Sequence, residues 1–151
     1  MGIKRFFFSA CAGLLAGCAT SLPIAATPDI QMVFDAPPTQ LYAAMPLACS
    51  GPGERVLRPR DDLIECRRLL PPEGAASAIL RHDGTIDALP ESVIRFESSP
   101  ADTAGTLVKA TAFVAVPQRD GRELHVIYPD TRVNRNIRNM LEQMGGTPLP
   151  R

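Results

Sequence analysis

Val93-Ile94-Arg95-Phe96-Glu97-Ser98, Thr106-Leu107-Val108-Lys109-Ala110-Thr111-Ala112-Phe113-Val114-Ala115-Val116 and Glu123-Leu124-His125-Val126-Ile127-Tyr128 are three β-rich runs in close succession. Ser99 to Gly105 and Gln118 to Gly121 separate them, loop lengths that predict an antiparallel meander. The chain then changes period. Val133, Ile137, Met140, Leu141 and Met144 fall on one face of an α-helix, with Asp130 or Thr131 to cap its start and Gly145 or Gly146 to supply a left-handed end.

Upstream of the meander, Ile30-Gln31-Met32-Val33-Phe34 alternates as a short strand with Ile30, Met32 and Phe34 on one face. Pro37 and Pro38 suit the start of a helix whose buried side is Leu41, Tyr42 and Met45, and Pro46 ends or kinks it. Val56-Leu57 and residues 63–66 read as two strands joined by the polar turn 59–62. Pro71-Pro72-Glu73-Gly74 interrupts the pattern. Asp83-Gly84, flanked by Ile79, Leu80, Ile86 and Leu89, predicts a β-hairpin across residues 77–89. The order predicts an α+β fold: an antiparallel β-sheet with a short N-terminal helix and a longer C-terminal helix packed on one face.

The N-terminus carries an address. Lys4 and Arg5 precede an apolar run of eleven residues, 6–16, broken only by Ser9, and Leu15-Ala16-Gly17-Cys18 closes the run. This is the layout of an export signal, and it is too short for a span, which needs about 20 apolar residues. Leu15-Ala16-Gly17-Cys18 resembles the lipobox of bacterial lipoproteins. That resemblance implies diacylglyceryl modification of Cys18, cleavage before it, and acylation of the new amine. It makes 1–17 a lipoprotein signal peptide, 18–29 a lipidated cysteine and tether, 30–146 one α+β domain, and 147–151 an extended tail. Ala19 in place of aspartate implies an outer-membrane destination facing the periplasm. The alternative is an ordinary signal cut after Ala26, with Cys18 a bystander, which leaves an odd cysteine count.

With Cys11 removed and Cys18 acylated, Cys49 and Cys66 remain, and an oxidising compartment favours a disulfide between them. Neither Cys-x-x-Cys nor a histidine cluster points to a metal or redox role. Loss of Lys4 and Arg5 takes sixteen basic residues to 14 against 16 acidic ones, a balance that argues against nucleic acid. No cofactor is expected beyond the acyl chains on Cys18.

His125 alternates with Leu124 and Val126 and reads as a solvated or partly packed strand residue, and His82 adjoins the Asp83-Gly84 turn. Asp61, Asp62, Asp83 and Asp87 are turn acids. No nucleophile elbow, phosphate loop or paired-glycine fingerprint occurs, so the expectation is not an enzyme. Arg132, Arg135 and Arg138 form a stripe away from the helix's apolar face. It is a candidate surface for acidic lipid or an acidic partner, or else a solvated face with Glu142 pairing Arg138.

Residues 34–45, Phe-Asp-Ala-Pro-Pro-Thr-Gln-Leu-Tyr-Ala-Ala-Met, resemble the first strand and helix of helix-grip proteins, the START and Bet v 1 relatives. The element order is similar to that of BamC-like envelope lipoprotein domains. The lipobox resemblance, the short tether and the lack of catalytic constellations lead to the expectation of a membrane-anchored, non-catalytic interaction or assembly domain with an envelope protein partner. Alternatively the helix-grip resemblance implies a binder or carrier of a small apolar ligand, in a cavity lined by Met140 and Met144.

Overall fold

The computed structural model describes residues 29–149 except 103, 128 and 129; the Leu15–Cys18 motif, most of the tether and Tyr128 lie outside them. Strand β1 (Ile30–Phe34) is followed by α1 (Thr39–Ala48), β2 (Glu54–Arg60), β3 (Leu63–Leu69) and α2 (Pro72–Arg81). Then come β4 (Glu91–Pro100), β5 (Thr106–Pro117), β6 (Glu123–Val126), α3 (Thr131–Gln143) and the two-residue β7 (Thr147–Pro148). The fold is α+β, with a seven-stranded sheet in the order β2-β3-β4-β5-β1-β7. All the pairings are antiparallel.

β5 is the longest strand and organises the sheet. One edge pairs with β4 along its length, and the other takes β1 opposite residues 106–110 and β6 opposite residues 114–117. Alternation gives the sheet two unlike faces. Met32, Phe34, Ile64, Phe96, Val108 and Ala110 point one way and pack with Leu41 and Met45 of α1 and Ile137 and Leu141 of α3 into the main core. Gly105, at φ 105°, makes the β4–β5 turn, and a Cβ there would run into the Phe34 carbonyl oxygen.

The helix ends follow their sequence signals. The Asp130 carboxylate accepts from the backbone N–H groups of Arg132 (2.8 Å) and Val133 (3.1 Å), and Gly145 takes the left-handed conformation after α3. Cys49 and Cys66 form a disulfide that ties the end of α1 to β3.

Three expectations need correction. Residues 72–81 are helical, not the first arm of a hairpin: Pro72 sits in the first turn, where its missing N–H has no partner to lose, and Ala75 and Ala78 give the helix a small buried side. Asp83 does take a left-handed φ of 52°, but it turns the chain out of α2. Pro46 does not end α1, which continues to Ala48, and the Cys49 N–H donates to the Met45 carbonyl at 2.9 Å. The tail begins as β7, with Thr147 and Pro148 opposite Val33 and Met32.

Candidate functional site

The second face of the sheet carries charge instead of helices α1 and α3. Register places Arg67 beside Arg55 and Val93, Glu65 beside Arg95, and Glu91 beside Ala115, so all of these share a face. Glu65 is 1 % exposed, Arg67 7 % and Glu91 8 %. Burying three charges this deeply is tolerable only if each is paired.

Arg67 does most of the pairing. Its Nε donates to Glu65 Oε2 at 2.7 Å, Nη1 to Glu123 Oε1 at 2.7 Å and to Glu91 Oε2 at 3.3 Å, and Nη2 to Glu123 Oε2 at 3.1 Å. Arg95 closes the other side of Glu65, with Nε 2.7 Å and Nη2 2.6 Å from Oε1, while Arg55 makes a two-point contact with Glu91. The Arg67 guanidinium holds the Glu123 carboxyl below the ordinary carboxylate range, and Glu123 foremost raises Arg67 in turn. Among the described residues no buried side-chain nitrogen or oxygen lacks a partner. Arg95 also lies 4.8 Å over the Phe113 ring, and His125 packs on that ring at 4.2 Å between centroids, so long side chains roof the small cluster of Val93, Phe113 and Ala115.

On the helix-bearing face, a cleft of about 200 Å³ opens between α1 and α3, lined by Met45, Ala48, the Cys49–Cys66 pair, Phe96 and Met140 among others. A second of about 190 Å³ lies under the start of α3, against Ile94, Ala112, Val114 and Val133. The expected joint lining by Met140 and Met144 does not occur, because Met144 faces a separate hollow with Phe34 and Pro37. Cys49, Cys66 and Glu54 offer ligand atoms within 4.8 Å of one another, but the disulfide leaves no thiolate to bind a metal.

Arg132, Arg135 and Arg138 are exposed on α3, and the Arg138–Glu142 pair does not form. The network of Glu65, Arg67, Glu91, Arg95 and Glu123 went unrecognised in the sequence. Its signal was there: opposite charges at alternate positions of neighbouring strands, Glu65 and Arg67 against Glu91 and Arg95. Searches of protein-family models, curated proteins and solved structures find no match to the chain.

Proposed function

We propose that the protein is a lipid-anchored envelope lipoprotein whose folded domain acts as a non-catalytic interaction or assembly module, held at the outer membrane and facing the periplasm. The observation that carries this reading is Leu15-Ala16-Gly17-Cys18 at the end of an eleven-residue apolar run headed by Lys4 and Arg5. The Cys49–Cys66 disulfide accords with an exported chain. On the charged face the carboxylates and guanidiniums neutralise each other, an arrangement that holds the sheet together. Crosslinking in intact cells tests the interaction role. It should recover a specific envelope protein, and recovery of none where a known envelope complex is captured would refute it.

The cleft between α1 and α3 favours a second reading. In it the short N-terminal and longer C-terminal helices close on one sheet face around a small apolar ligand, as the helix-grip likeness implies. At about 200 Å³ the cleft is below the usual range for a drug-sized ligand, which ranks this reading second. Native mass spectrometry of delipidated mature protein should then find a bound small molecule. Protein free of any ligand would dismiss the idea.

A further inference from the structure

Ile86 is 83 % exposed, Leu80 82 % and Leu89 50 %, three large aliphatic side chains within ten residues. All three lie at one end of the sheet: the Thr85 N–H donates to the Pro117 carbonyl at 2.9 Å, Gly84 is wedged against Val116, and Glu91, two residues past Leu89, stands opposite Ala115. Exposed Arg81 and Arg119 stand at this end too, with exposed Asp83, Asp87 and Asp120 beside them, so its charge is mixed. The opposite end differs in kind. There the turns carry Asp35, Asp61, Asp62 and Asp102 with Arg58 and Arg60, and among the described residues no large apolar side chain is exposed.

We infer that the segment from Leu80 to Leu89 docks on the bilayer that holds Cys18, sinking Leu80, Ile86 and Leu89 into its interfacial layer. The inference rests on the lipid-anchor reading. β1 runs from Ile30, opposite Ala110, to Phe34, opposite Thr106, so the chain before it arrives from the Pro117 side of the sheet. Asp29 is fixed there by Thr111 Oγ1, 2.9 Å away. From Thr111 to Pro117 is about 20 Å of strand, and the eleven steps from Cys18 to Asp29 reach at most about 40 Å. The anchor can therefore sit below the apolar end with the domain resting on the membrane. Asp83 and Asp87 lie in the segment itself and stay at the headgroup level, so the exposed aliphatic side chains and the direction of the tether set the orientation.

The chain contains no tryptophan, so one introduced residue is a sole reporter. Mature protein is coupled through the Cys18 thiol to a maleimide phospholipid, with Cys49–Cys66 intact, on vesicles of phosphatidylcholine and phosphatidylglycerol. Ile86→Trp and, independently, Leu89→Trp should show blue-shifted emission, quenched at least twofold when the phosphatidylcholine is brominated. Asp61→Trp should not change. Equal quenching at 61 and 86, or none at 86 and 89, overturns the inference. So does a blue shift at 86 that needs high protein concentration instead of lipid, which marks a second copy as the occupant. Because the coupling is chemical, failure of cellular acylation would show in labelling of Cys18 and not here.

Discussion

Arg67 joins three carboxylates from β3, β4 and β6, and its removal leaves Glu65 buried with only Arg95 to answer it. Arg67→Ala should therefore lower stability by about 3–5 kcal/mol, measured by urea unfolding. Arg122→Ala, which breaks an exposed pair with Asp120, should leave it almost unchanged. Equal effects would mean that the network is not what holds that face. Glu123 contributes to the acid-side pH dependence, alongside Asp62 and Asp120, whose arginine partners lower them too. Its folded-state ionisation lies below the unfolded value, so its contribution is complete above the ordinary carboxylate range and is lost as pH falls through the folded value. Glu123→Gln should remove that part of the acid-side slope in unfolding measured between neutral and acid pH, and an unchanged slope would assign the effect to other acids. At this scale the sequence shows the charges, but their burial depends on which strands become neighbours, and that is a property of the assembled sheet.

Elements were legible where the chain repeats a period. β1, β5 and α3 each show their alternation or their 3.6-residue spacing, and the buried sides of β1 and α3 are those the pattern named. α2 was not legible, because Pro71-Pro72 reads equally as a break or as a helix start, and its buried side is two alanines instead of a hydrophobic stripe. Its docking is accordingly slight. The pairing of β1 with β5 was also hidden: loop lengths speak for consecutive strands, and β1 crosses to a partner more than seventy residues away. Turn chemistry at the meander gives a direct check. Gly105→Ala combines a positive φ with a collision against the Phe34 carbonyl and should cost more than about 2 kcal/mol, whereas Gly121→Ala has the strained φ but open space and should cost about 1 kcal/mol. Similar losses in thermal unfolding would show that the approach of β1 to the turn is not tight. The disulfide belongs at this scale too, since it fastens α1 to β3. Cys49→Ser should lose about 3 kcal/mol under oxidising conditions and almost nothing relative to the wild type under reducing ones.

As a whole, the molecule pairs a helix-covered face with an ion-paired one, and its two ends differ in that one exposes Leu80, Ile86 and Leu89. Those asymmetries acquire a direction only if the domain is held at a membrane, which is what Leu15-Ala16-Gly17-Cys18 implies. On the proposed lipobox reading Cys11 leaves with the signal and Cys18 is acylated, so the remaining two cysteines are the pair that the fold joins. The most direct test is metabolic labelling with a lipoprotein acyl precursor in cells expressing the wild type or Cys18→Ala. The account predicts a labelled wild type that sediments with membranes, and a Cys18→Ala chain that takes no label and leaves the membrane fraction. A wild type without label, or a variant labelled and membrane-bound as before, would contradict it.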